Sequence, residues 1–190
     1  CDWSSDVCSS DLGDIDVLIN NAGYGLNQSF TKSDAQEELA VLKILCEAPM
    51  RIAHAVLPAM IQRNSGIIIN VASVAAWITG GHYSAMKSYL TVLSESLHTE
   101  LAETAVKVCS LNPGFTHTEF HQRGNMKMDA LPKFMWLNAD EVVATAWQDA
   151  KDGKALSIPG RQYRAIYWLT KHAPRSLVRS VGFRTRSRQR

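Results

Sequence analysis

The chain alternates short apolar runs with stretches of helical spacing, and that alternation limits what it can fold into more than any other feature. Asp16 to Asn20 (DVLIN), Gly66 to Val71 (GIIINV) and Val106 to Asn112 (VKVCSLN) read as strands. The first is a continuous apolar run between Gly13–Asp14 and Asn21–Gly23, the pattern of a strand covered on both faces. Helices are predicted near Ala35 to Arg63 and over Tyr83 to Glu103. In the first of these, Leu39, Leu42, Leu45, Ile52, Val56 and Met60 recur at helical spacing, Pro49 and Pro58 kink or divide it, and Asn64 with Gly66 ends it. Asn138 or Asp140 caps a further helix to about Lys151, and Ala155 to Ile158 reads as a last short strand. Tyr163 to Val181 reads as one or two amphipathic helices broken at Pro174. The expected fold is therefore α/β, part of a doubly wound parallel sheet with helices on both faces.

Residues 1–12 do not join this pattern. They show no period of 2 or 3.6 and neither the basic nor the apolar region of a signal peptide. Asp2 to Leu12 back-translates to a reading frame of a common sequencing-library adapter, so the segment is expected to be non-native and is set apart from fold reasoning. Cys1 and Cys8 leave the disulfide count with it. Cys46 and Cys109 then remain, without CxxC spacing, and read as reduced core residues of a cytoplasmic protein. No uninterrupted apolar run approaches the length of a membrane span.

Four local signals fall at strand ends or helix starts, where open parallel sheets bind ligands: NNAG at Asn20 to Gly23, NVAS at Asn70 to Ser73, YSAMK at Tyr83 to Lys87 and PGFTHTEF at Pro113 to Phe120. Tyr83 and Lys87 are four apart and share a helix face. A phenol with a pKa of about 10 needs lowering by about three units, roughly 4 kcal/mol, to act as a base near neutrality. A cation about 4 Å away supplies an effect of that order at an effective dielectric of about 20. Ser73 can reach the same crevice and donate to a substrate oxygen, although a serine in this position also reads as a turn cap.

Taken together, these segments resemble the short-chain dehydrogenase/reductase family from Gly13 to about Gly160. The resemblance implies a Rossmann-like domain over 13–160 and an NAD(P)-dependent oxidoreductase acting on a carbonyl or secondary alcohol. Ser73 would polarise the carbonyl, Tyr83 would transfer the proton as general acid/base, and Lys87 would bind the nicotinamide ribose, Tyr83 and Lys87 both touching the cofactor. Asn20, Ala22 and Gly23 would line its adenosine side; Pro113, Gly114, the backbone at Thr116 and the Thr118 hydroxyl would approach the nicotinamide carboxamide. Two departures stand out. Leu45 falls where many members carry a catalytic Asn, which opens the alternative of a noncatalytic binding or scaffold protein with this fold. The glycine-rich phosphate loop is absent from the sequence, GYG at Gly23 to Gly25 being too short a match. By resemblance three strands should precede Gly13, so these residues are expected to be inactive alone, and the choice between NADP and NAD is not legible.

From Phe115 to Leu137 the chain is irregular and rich in Met, His and aromatic residues, and it is expected to form a substrate lid. Phe115, Phe120, Met126, Met128, Met135 and Trp136 would make it apolar, with Trp77 and His82 facing the same pocket, favouring a hydrophobic substrate. His117 and His121 are a poor zinc pattern without a third ligand, and no metal is expected. Arg161 to Arg190 carries nine of the 20 Lys and Arg and none of the 18 acidic residues. This basic extension lacks a nucleic-acid reader and is expected at most to touch a membrane surface weakly. The family implies homo-oligomers.

Overall fold

The computed structural model describes residues 15–118 and 132–180. Four strands, β1 (Val17–Asn20), β2 (Gly66–Val71), β3 (Val106–Leu111) and β4 (Leu156–Ser157), form one sheet in chain order, and every neighbouring pair is parallel. Parallel neighbours need crossovers, and these are helical: α1 (Ala35–Leu42), α2 (Ala48–Gln62), α3 (His82–Glu100) and α4 (Ala139–Lys151). Helix α5 (Arg161–His172) follows β4, Pro174 breaks it, and helical residues resume at 175–180. The architecture is the expected Rossmann-like α/β sheet.

Side chains alternate across the strands and so build two cores. On one face Ala53 and Met60 of α2 pack on Ile68, Val106 and Val108. On the other, Val142, Ala146 and Ala150 of α4 pack on Ile69, Cys109 and Leu111. Cys46 and Cys109 are both free and buried. β1 departs from the expectation of a strand covered on both faces: Val17 is 37% and Ile19 55% exposed. Among the described residues β1 pairs only with β2, at the end of the sheet, so its apolar run is half solvated.

The long predicted helix is divided, but not by the prolines directly. A π-helical turn, Lys43–Glu47, joins α1 to α2, with the Ala48 N–H reaching back to the Lys43 carbonyl. Pro49 directly follows the π-turn within the continuous helical stretch, where its missing N–H removes a helical bond, and Pro58 is carried inside α2. The whole stretch Ala35–Gln62 is long and apolar enough to cross a membrane by length and composition, unlike the interrupted apolar runs of the sequence. Its buried side chains Val41, Leu45, Ala53 and Met60 pack within the fold. Asn64 stops α2 in the left-handed conformation (φ 51°), and its side-chain oxygen accepts the Ala105 N–H at 2.7 Å, fixing the entry to β3. Asn138 caps α4 by accepting the N–H groups of Asp140 and Glu141 at 2.8 and 3.3 Å.

Candidate active site

A buried polar row runs across the C-terminal ends of the strands. Asn20, Asn70 and Ser110 face one another in register on β1, β2 and β3. The Asn20 amide donates to Asn70 Oδ1 at 2.7 Å, and the Asn70 amide donates to Ser94 Oγ on α3 at 2.9 Å. Beside them Ser110 Oγ donates to Asn112 Oδ1 at 2.8 Å, and the Asn112 amide donates to Thr91 Oγ1 at 2.9 Å and to the Ser73 carbonyl at 3.1 Å. Buried polar groups are stable only when satisfied, so this network fixes α3 and the Ser73 turn against the sheet at one relative height. Asn70 opens the NVAS signal, whereas Thr91, Ser94 and Asn112 were not singled out from the sequence; single polar residues in an apolar run or on a helix were their only signal.

That scaffold brings Ser73, Tyr83 and Lys87 together. Ser73 ends the loop after β2 and, as its capping reading predicts, accepts the Ala75 N–H at 3.1 Å at the start of a 3₁₀ turn, Val74–Trp77. The same hydroxyl hydrogen-bonds the Tyr83 phenol, so the cap and the pairing with Tyr83 coexist. One helical turn on, Lys87 Nζ lies 5.7 Å from the centre of the Tyr83 ring and donates to the Val71 carbonyl at 2.6 Å. The expected acidification of the phenol is not found. Burial pushes Tyr83 up to about 12, against a lowering by the Ser73 hydrogen bond. Burial likewise lowers Lys87 to about 8, with a small opposing effect from Cys46. The physical reason is distance and desolvation: the ammonium is drawn to the strand carbonyl, and burial of the phenol outweighs its attraction.

Gly23 lies beside Leu45 and Lys87. A Cβ there would lie 2.6 Å from Leu45 Cδ2 and 3.9 Å from Lys87 Nζ, so only a glycine leaves this approach open. Leu45 sits in the π-turn, fully buried in a cluster with Val41, Cys46 and Met86 on which Leu26 and Tyr83 also pack. Ala22 and Gly23 are exposed at the crevice, whereas the Asn20 side chain points into the polar row. Pro113 is tied to the Ser73 turn through its carbonyl, which accepts the Val74 N–H at 3.1 Å. Gly114 has the ring of Tyr163 packed where a Cβ would be, and Thr116 Oγ1 donates to the Gly114 carbonyl at 3.1 Å. The buried Tyr163 was missed from the sequence. Its hydroxyl accepts the Phe115 N–H at 3.0 Å and donates to the Met135 carbonyl at 2.5 Å. Thr118 is exposed.

Of the expected lid residues, Phe120, His121, Met126 and Met128 lie outside the described residues, as do residues 1–12 and 181–190. His117 stacks on Trp136 at 4.6 Å, and Phe115 approaches the same indole at 6.0 Å. Thr116 and Leu137 form a parallel bridge that brings the two flanks of the segment together. Trp77 packs on Tyr167 of α5 at 4.7 Å. His82 is held from the side: Nδ1 lies 2.6 Å from Glu38 Oε2, Ser33 Oγ donates to Glu38 Oε1 at 2.5 Å, and Phe30 meets the imidazole edge-on at 5.3 Å. This buried acid ties α1 to the first turn of α3, one residue before Tyr83.

The family model for short chain dehydrogenases matches residues 4–129. The chain belongs to that family. An uncharacterized oxidoreductase of Staphylococcus saprophyticus is 36% identical over 110 residues, covering 56% of this chain and 47% of that protein. Among solved structures, a short-chain dehydrogenase from Sphingobium yanoikuyae in complex with NADPH superposes with a TM-score of 0.75 at 28% identity, covering 86% of this chain and 64% of that one. A bulky-bulky ketone specific alcohol dehydrogenase from Comamonas testosteroni gives a TM-score of 0.66 at 25% identity, covering 83% and 63%. This short-chain dehydrogenase thus spans about half the length of the curated relatives it matches.

Proposed function

We propose that this chain carries the catalytic half of an NAD(P)-dependent oxidoreductase acting on a hydrophobic ketone or secondary alcohol. The observation that carries the reading is the grouping of the hydrogen-bonded Ser73 and Tyr83 hydroxyls with Lys87, beside an exposed Gly23 whose missing Cβ leaves the approach to Lys87 free. The cradle at Gly23 and the ammonium beside it fit the nicotinamide end of a dinucleotide; when bound, that group supplies the hydride. Ala22 and Gly23 offer an exposed edge to the cofactor, Lys87 offers an ammonium for hydroxyl oxygens, and the Gly114–Thr116 loop offers backbone groups. Asn20 contributes by holding the sheet, through its bond to Asn70. The NADPH held by the Sphingobium neighbour and the bulky ketones named for the Comamonas enzyme favour this cofactor class and substrate class.

Ser73 donates to the substrate oxygen and Tyr83 holds the proton beside it. With the phenol pushed up to about 12, Tyr83 is protonated at neutral pH and is a proton donor, the form that carbonyl reduction requires. Alcohol oxidation needs the phenolate, so its rate rises with pH. The described residues supply the nicotinamide side and the proton donor, and the sequence shows no glycine-rich phosphate loop. The test is a panel of bulky ketones reduced with NADPH or NADH by the product of the complete open reading frame. Turnover is expected; cofactor binding without turnover on any ketone would favour the noncatalytic reading that Leu45 raises.

A further inference from the structure

Away from the crevice, the outer face of α5 combines exposed apolar and cationic side chains. Trp168 is 61% and Leu169 57% exposed, and Leu177, beyond Pro174, is 58% exposed. Arg161, Ala165, Trp168, Leu169 and His172 recur at helical spacing on the side opposite the buried Tyr163, flanked by Arg164 and Lys171. Arg175 and Arg179 are exposed on the following turn, and no acidic residue occurs after Asp152 in the whole chain. At the edge of this face Asp149 pairs with Lys154 at 2.6 Å, and Lys154 feels Arg164 as a like charge.

We propose that this face docks on an anionic lipid surface, Trp168 and Leu169 entering the headgroup layer while Arg161, Arg164 and Lys171 meet lipid phosphates. Charge complementarity selects the occupant. A second copy related by a two-fold axis would set the same cations against each other without an acid between them. A nucleic-acid backbone would satisfy the cations but leave Leu169 and Leu177 exposed to solvent. An anionic bilayer meets both, the apolar side chains by burial and the cations by the surface potential. The site lies on the helix itself rather than on the basic residues after it, and it is independent of how the crevice is read.

The experiment is co-sedimentation of the protein with vesicles of phosphatidylcholine, with or without about 30% phosphatidylserine, a strongly anionic surface. Partitioning should rise at least about tenfold with phosphatidylserine, since each surface cation contributes about fivefold, and should fall with added salt. Trp168→Ser combined with Leu169→Ser should lower it by about tenfold or more, from lost apolar burial. Arg161→Gln with Lys171→Gln should lower it by a similar factor, and both pairs should leave the circular dichroism unchanged because the side chains are exposed. Equal partitioning on neutral and anionic vesicles would overturn the proposal. So would binding that survives both double substitutions and disappears only on removal of residues 181–190, or a dimer in solution that shields Trp168 from an aqueous quencher.

Discussion

Lys87 is buried with its ammonium on one strand carbonyl, and this has a consequence for stability that needs no assay of activity. Its pKa falls from 10.5 to about 8, so between those values the unfolded chain holds a proton that the folded chain has released. Stability therefore rises with pH above about 8, and the buried thiols oppose that rise from about 9, because burial keeps Cys109 protonated to about 12 and raises Cys46 while the unfolded thiols ionise near 9. Above 10 Tyr83 adds to the fall, because it stays protonated to about 12 when folded while the unfolded phenol ionises near 10. Urea unfolding across this range should show a maximum near pH 9, and Lys87→Met should lose the rising limb; a variant that keeps it would remove Lys87 as its source. At the same scale, His82→Ala removes one donor from the buried Glu38 carboxylate and should cost about 1–3 kcal/mol, with His82→Gln recovering part of that through its own donor.

Among the elements, the π-turn that seats Leu45 against Gly23 is the tightest constraint on the crevice. Gly23→Ala forces a Cβ to within 2.6 Å of Leu45 and should destabilise by about 1–3 kcal/mol, relieved when Leu45 is also shortened to Ala, a non-additivity visible in a double-mutant cycle on urea midpoints. Tyr163→Phe removes the hydroxyl that joins Phe115 to Met135 and should cost about 1–3 kcal/mol by the same measurement. The strands and helices were legible in the sequence because each has a strong period or a cap, as with Asn64 and Asn138. The π-turn was not: it takes the same residue types as an α-helix, and only the preceding-turn demands of Pro49 mark it. The motif residues Ser73, Tyr83 and Lys87 were legible as a group, but their proton affinities were not, because spacing along a helix carries neither the depth of burial nor the pull of the Val71 carbonyl. Tyr163 and the Glu38–His82 pair join positions far apart in sequence, so no local pattern announced them.

At the scale of the whole fold, the four parallel strands among the described residues carry a satisfied polar row at their C-terminal ends, and that row fixes α3 with its Tyr and Lys. β1 leaves Ile19 open at the end of the sheet, so additional sheet pairing there would cover apolar surface now in water. The measurement that bears most directly on the account is made with the product of the complete open reading frame: NADPH affinity and ketone reduction for wild type and Tyr83→Phe. The account predicts a fall in turnover of about 100-fold or more with cofactor affinity nearly unchanged. Wild-type turnover in Tyr83→Phe, with cofactor still bound, would contradict it.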